Sequence, residues 1–97
     1  MGFCPPELLD DLGELFAELR EWDGIVERKP AVFYVGSQPF LHFHLLHGVQ
    51  RRADVKGRAD WVKIDLPYPA SATRREALRR TLRRCYAGKK PTRRART

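Results

Sequence analysis

Within residues 40–47, the side chains at 41–45 alternate between two kinds, and this alternation constrains the fold more than any other feature of the chain. The segment reads Phe-Leu-His-Phe-His-Leu-Leu-His, so that large apolar residues at 41, 43 and 45 are separated by His42 and His44. Successive side chains of a β-strand point to opposite faces of the sheet. The pattern therefore predicts a strand that buries its odd-numbered side chains and presents both imidazoles on the other face.

Three more segments have the composition of strands, and the turns between them are short. The four predicted strands cover residues 31–35, 40–46, 49–56 and 61–66. Parallel neighbours would need crossover connections of about a dozen residues or more. We therefore predict an antiparallel sheet of four strands in which neighbours along the chain are neighbours in the sheet.

Helical patterns flank the predicted strands. Apolar residues recur every three or four positions over residues 7–22, which predicts one amphipathic helix. Thr73 and Glu76 match the capping-box pattern and predict a second helix from there through Ala87, with Gly88 as its C-terminal stop. The predicted fold is α+β with two layers, in the order helix, four strands, helix, with both helices on one face of the sheet. Residues 1–88 form a single domain, and residues 89–97 are expected to be a basic, disordered tail.

The alternation assigns a face of the sheet to each strand residue. The face predicted to lie under the helices carries Phe33, Val35, Leu41, Phe43, Leu45, Ala53, Val55, Val62, Ile64 and Leu66. The uncovered face carries Tyr34, Phe40, His42, His44, Arg52, Asp54, Lys56, Trp61, Lys63 and Asp65. Because the uncovered face is aromatic and cationic, we expect it to contact a ligand or partner through Tyr34, His42, His44, Arg52, Lys56, Trp61 and Lys63.

Charge is distributed unevenly along the chain. Residues 1–48 contain 8 acidic and 3 basic side chains, a net charge of −5, whereas residues 49–97 contain 4 acidic and 16 basic side chains, a net charge of +12. Such an asymmetry predicts a basic surface for an anionic partner, nucleic acid included. On the predicted second helix, the expected anion-binding residues are Arg79, Arg80, Arg83 and Arg84.

Three functions stay open, and the first is favoured. It is a non-enzymatic binding domain that uses the uncovered sheet face and the basic C-terminal segment for a polyanion. The second is a small-molecule or metal site at His42 and His44, with Asp54, Asp65 or His47 as third ligand. The third is a homodimer built on the uncovered face. An enzyme is less favoured because no nucleophile, base and orienting group can be assembled, and no cofactor is predicted apart from the metal.

The sequence also bears on the compartment. No apolar run approaches the roughly 18–20 residues needed to cross a bilayer, so no membrane association is expected. Cys4 and Cys85 form neither a C-x-x-C pair nor a zinc spacing. We expect two free thiols in a reducing cytoplasm, and a disulfide that ties the N-terminal arm to the last helix is the less favoured alternative.

Short motifs resemble small bacterial proteins that carry an F-L-H-F-H…A-D-V-K core. They are the segments at 32–35, 39–44 and 53–56. The segment at 61–67, followed by a helix that ends Arg-Cys-Tyr, is similar to the small domain labelled luciferase-like in bacterial proteins. The resemblance covers roughly residues 24–87. It implies an α/β sandwich of two layers and carries over no catalytic residue.

Overall fold

The computed structural model describes residues 2–89, which form an antiparallel sheet and two α-helices. The strands are β1 (Gly2–Phe3), β2 (Ile25–Lys29), β3 (Val32–Val35), β4 (Gln38–His47), β5 (Gln50–Lys56) and β6 (Trp61–Asp65). The helices are α1 (Gly13–Leu19) and α2 (Ala72–Lys89), and two 3-10 turns at Pro6–Leu8 and Asp10–Leu12 precede α1. Every strand pairing is antiparallel. The predicted α+β class and antiparallel sheet are thus confirmed.

The described sheet has six strands, so the prediction of four strands is wrong. The strand order is β2-β3-β4-β5-β6, and the short β1 pairs with β4. β2 escapes the sequence pattern because it is an edge strand with the sequence Ile-Val-Glu-Arg-Lys. An edge strand is exposed over much of its surface and can carry charge without losing burial.

The predicted helix over residues 7–22 is also wrong in its first half. In an α-helix the amide of Leu12 would donate to the carbonyl of Leu8. That carbonyl instead accepts a hydrogen bond of 2.7 Å from Arg51 Nη1, and the Leu12 amide donates to Leu9 O. The chain therefore forms 3-10 turns before it enters α1. Leu12 and Leu19 are nevertheless fully buried, as the apolar periodicity predicts.

One hydrophobic core joins the sheet to both helices. The ring of Phe16 on α1 lies 5.6 Å from that of Phe33 and 5.7 Å from that of Phe43. Leu78 and Leu82 of α2 are fully buried in the same cluster. The strand residues predicted to face the helices are all buried or packed against this core. The alternation thus assigned the covered face correctly.

Phe40 is the exception, because it lies in the core and not on the uncovered face. Phe33 pairs with Leu41 and Tyr34 pairs with Pro39, so β4 carries one extra residue at this point. Such a β-bulge interrupts the alternation. Phe40 and Leu41 are consequently both fully buried, and the ring of Phe40 lies 6.3 Å from that of Tyr86 on α2.

α2 is longer than predicted at both ends. Its N-terminal cap is Ser71, whose Oγ accepts a hydrogen bond of 3.1 Å from the amide of Arg74, so the prediction of Thr73 as N-cap is wrong. The helix includes Gly88 and Lys89, two residues beyond the predicted end. The rest of the predicted tail, residues 90–97, lies outside the described residues.

Candidate functional site

Neighbouring strands bring His42, His44 and Asp54 together on the face of the sheet opposite the core. His42 is paired in register with Asp54, and His44 with Arg52. The two imidazole rings lie 4.8 Å apart, edge to face. The strand alternation predicted that both imidazoles share this face, and the pairing of β4 with β5 adds the carboxylate.

Asp54 is the centre of this cluster, although only 4% of its surface is exposed. Arg52 donates to both of its oxygens, from Nε to Oδ1 at 2.7 Å and from Nη2 to Oδ2 at 3.1 Å. Nε2 of His44 lies 3.4 Å from Oδ2. One ligand atom from each of His42, His44 and Asp54 falls within 4.8 Å of the others. These three residues could therefore hold a metal ion.

The protonation of His42 suits a ligand. Burial lowers the pKa of its imidazole, and the neighbouring His44 and Arg52 lower it further, against an opposing effect of the Asp54 carboxylate. The imidazole is therefore neutral at neutral pH. A neutral imidazole keeps an unshared electron pair on one ring nitrogen, which is the form that binds metal.

The other residues predicted on the uncovered face surround this cluster. The ring of Trp61 lies 4.8 Å from that of His42, and Nζ of Lys56 lies 5.5 Å above the indole. Lys63 pairs with Asp54 in register. Tyr34 is farther along the sheet, where the Arg28 guanidinium covers its ring at 4.6 Å. The other candidate ligands, His47 and Asp65, are both exposed and outside the cluster of three.

The four arginines predicted to bind anions on α2 have different environments. Arg79 and Arg83 both pair with Glu18 of α1, at 2.9 Å and 2.7 Å. Arg80 lies 3.7 Å from Glu76, within its own helix. Arg84 instead lines a groove between α2 and the β5–β6 turn.

This groove has a volume of about 320 Å³ and a cationic rim. Its lining consists of Gly57, Arg58, Val62, Arg84, Cys85 and Gly88. Lys89 reaches across it, with Nζ 3.3 Å from the carbonyl of Gly57. We call Lys56, Arg58, Arg84 and Lys89 the basic end. Within residues 2–89, none of these four side chains forms an ion pair.

The other positive charge of the basic end affects the pKa of Lys89. Burial lowers the pKa of its ammonium group, and the charge of Lys56 lowers it further, while Cys85 opposes both. Arg58 and Lys89 were missed as site residues because one falls in a predicted turn and the other in the predicted tail. A topological signal was present, since a helix that returns antiparallel to the last strand brings its C-terminus to the β5–β6 turn.

A second residue missed by sequence reasoning is Arg51, which is 1% exposed inside the core. Its guanidinium donates to both carboxylate oxygens of Asp11 at 2.8 Å and to the carbonyls of Leu8 and Leu66 at 2.7 Å. Arg51 lies two residues before Ala53 and four before Val55 on β5, so strand alternation places its side chain on the same buried face. This alternation could have identified Arg51 as buried. Its contacts are those of a structural residue.

Comparison of the chain with protein-family models, with curated proteins and with solved structures found no significant match. The fold and the site therefore define the molecule only as an α+β domain with an antiparallel sheet. No helix within residues 2–89 is long and apolar enough to cross a membrane. Cys4 and Cys85 are both free thiols.

Proposed function

We propose that the chain is a non-enzymatic domain that binds a polyanion, with single-stranded nucleic acid as the best fit, at the basic end. The observation that carries this proposal is a cluster of four cationic side chains without a paired carboxylate: Arg58 and Arg84 line the groove, Lys89 reaches across it, and Lys56 is close enough to Lys89 to lower the pKa of its ammonium group. Like charges held together without counterions create a positive potential that attracts anions. Phosphate groups would supply the missing counter-charge.

Two neighbouring features support nucleic acid over a small anion. Trp61 pairs in register with Lys56, and Nζ of Lys56 lies 5.5 Å above the indole, so an aromatic ring lies next to one of the four cations on the open face of the sheet. Aromatic side chains beside a positively charged groove are the usual means of holding unpaired bases. The sequence that follows Lys89 adds four basic residues and no acidic one within residues 90–97. A strand of nucleic acid can therefore meet more positive charge than the groove alone supplies.

The ion pairs on α2 explain why the groove is favoured over the rest of the helix. Arg79 and Arg83 would have to exchange Glu18 for a phosphate, and the exchange gains less than pairing a charge that has no partner. We therefore expect Arg84 and Lys89, at the C-terminal end of α2, to bind the polyanion, and Arg79 and Arg83 to contribute little.

Fluorescence anisotropy with a labelled oligothymidylate of about 20 nucleotides tests the proposal. We expect the logarithm of the affinity to fall linearly with the logarithm of salt concentration, from about 50 to about 200 mM, at about 0.7 per phosphate contact. Arg58→Gln combined with Arg84→Gln should reduce that slope by about 1.4 and weaken binding.

The matched control is Arg28→Gln combined with Arg80→Gln, which removes the same charge outside the groove. Binding by the control should stay close to that of the unchanged protein. Equal losses in the two double variants would contradict the location, and binding that is absent at low salt or indifferent to salt would contradict the polyanion itself.

The homodimer through the uncovered face stays an alternative to this proposal. Trp61 is partly exposed there, and Trp61→Glu would place a charge in such an interface. Sedimentation equilibrium distinguishes the cases, because a dimer would dissociate in the variant. A monomer mass for both proteins would eliminate the dimer. The resemblance to the luciferase-like small domain likewise stays a prediction.

A further inference from the structure

We propose that His42, His44 and Asp54 form a binding site for one divalent transition-metal ion of the zinc and cobalt class. The site lies on the open sheet face and shares no residue with the basic end. It therefore goes beyond the polyanion proposal, and either proposal can fail without the other.

The separations of the donor atoms fit a metal ion. Metal bonds of about 2.0–2.1 Å from nitrogen and oxygen place neighbouring ligands of a tetrahedral ion about 3.4 Å apart. Nε2 of His44 and Oδ2 of Asp54 are 3.4 Å apart. The remaining separations do not exceed 4.8 Å, so a rotation of the His42 ring that brings its nitrogen closer by up to about 1.4 Å would complete the set.

The donor set selects the class of ion. Two imidazoles and one carboxylate suit zinc, cobalt, nickel and ferrous iron, whereas calcium and magnesium prefer oxygen ligands alone. Three protein ligands leave at least one coordination position open. His42 and His44 are both partly exposed, so a water molecule or a ligand could reach that position from solvent.

Arg52 occupies the same carboxylate, that of Asp54, that a metal ion would need. Its guanidinium holds both oxygens of Asp54, and it would have to release at least one of them to a metal ion. Asp65 is paired with Arg52 in register on β6, so a second carboxylate is close enough to accept the guanidinium. Arg52 thus competes with the metal for Asp54.

Calorimetric titration of the full, tag-free chain with Zn²⁺ and the visible absorption spectrum of the chain with Co²⁺ test the site. We expect one ion per chain and a Co²⁺ spectrum of tetrahedral or five-coordinate intensity. His42→Ala and His44→Ala should each weaken Zn²⁺ binding by at least about 100-fold, since loss of a mere supporting group already costs 10- to 100-fold. The matched control is His47→Ala, on the same strand and outside the cluster, which should bind Zn²⁺ as the unchanged protein does.

Two further variants keep the test decisive. Arg52→Gln should bind Zn²⁺ more tightly than the unchanged protein, because the guanidinium that holds both oxygens of Asp54 is then absent. Asp54→Asn should abolish binding; if it does not fold, the histidine variants and Arg52→Gln carry the test, with thermal unfolding as the check on folding. Zn²⁺ affinity that is unmeasurable at micromolar concentration, or equal in His42→Ala and His47→Ala, would overturn the proposal. Affinity that is weakened in Arg52→Gln would overturn the competition between Arg52 and the metal ion. Binding of Ca²⁺ as tight as that of Zn²⁺ would overturn it as well.

Discussion

At the scale of single residues, the buried Arg51 holds together parts of the chain that are distant in sequence. It connects the 3-10 turn that ends at Leu8, the carboxylate of Asp11 and the carbonyl of Leu66 at the end of the sheet. A buried charge is tolerated only when it is paired and hydrogen-bonded. The five donor hydrogens of the guanidinium meet that condition here.

Replacing this arginine should therefore be costly. Arg51→Met leaves the buried Asp11 carboxylate without its cation and removes a donor from the carbonyls of Leu8 and Leu66. We expect the free energy of unfolding to fall by about 3–5 kcal/mol in urea denaturation. Arg28→Met is the control, because Arg28 is exposed and contacts only an aromatic ring. We expect a change below about 1 kcal/mol for the control. Similar losses for both variants would show that Arg51 has no special structural role.

The Asp11 carboxylate should also make stability depend on pH. Burial alone would raise its pKa, but hydrogen bonds from Arg51 and from the amide of Ala70, together with the Arg51 charge, hold the pKa below its usual value. A depressed pKa in the folded state means that the stabilisation is complete above the unfolded pKa of about 4 and is lost as pH falls below it. The difference in stability between the unchanged protein and Asp11→Asn should therefore shrink between about pH 5 and pH 2. A difference that stays constant over this range would refute the assignment.

At the scale of secondary structure, the start of α2 can be tested directly. Ser71 provides the cap, whereas Thr73 is exposed within the first turn. Ser71→Ala should cost about 1 kcal/mol in stability, and Thr73→Ala should cost less than about 0.5 kcal/mol. Thermal or urea unfolding of the two variants measures both values. A larger loss of stability in Thr73→Ala than in Ser71→Ala would show that Thr73 is the cap.

The bulge in β4 determines that Phe40 is buried, and this burial can be tested by mutation. Phe40 is fully buried against α2 because the bulge turns it inward, so Phe40→Ala should lower stability by about 3–5 kcal/mol. Tyr34→Ala, on the open face, should cost clearly less in the same urea titration. If Phe40 lay on the open face, as simple alternation predicts, the two variants would behave alike.

The elements that sequence reasoning recovered are those specified by local periodicity. The alternation over residues 41–45 predicted which side chains of β4 are buried, because every second side chain of a strand points to the same face of the sheet. Phe40, β2 and the 3-10 turns could not be found in this way, since each depends on a tertiary partner. A bulge depends on the pairing of β3 with β4, and the 3-10 turns depend on Arg51. For the site, alternation predicted that His42 and His44 share a face, but only the register of β4 with β5 chose Asp54 over Asp65 and His47.

At the scale of the whole molecule, ion pairs between the acidic and the basic half of the sequence neutralise some of the basic side chains and leave others without a carboxylate partner. Glu18 neutralises part of the arginine-rich helix by pairing with Arg79 and Arg83. Arg84 and Lys89, which have no ion pair among residues 2–89, lie at the C-terminal end of α2 beside the β5–β6 turn. Sequence charge alone predicted the sign of the partner, but the ion pairs between α1 and α2 determine which part of the basic half is available.

Mapping by nuclear magnetic resonance tests directly whether a polyanion binds at the basic end. Backbone amide shifts of the isotope-labelled full chain would be followed during titration with single-stranded oligothymidylate. We expect the largest shifts at residues 56–62 and 84–89, around the basic end, and we expect these shifts to be lost in the Arg58→Gln, Arg84→Gln double variant. Shifts centred on Glu18, Arg79 and Arg83, or no shifts at low salt, would contradict it.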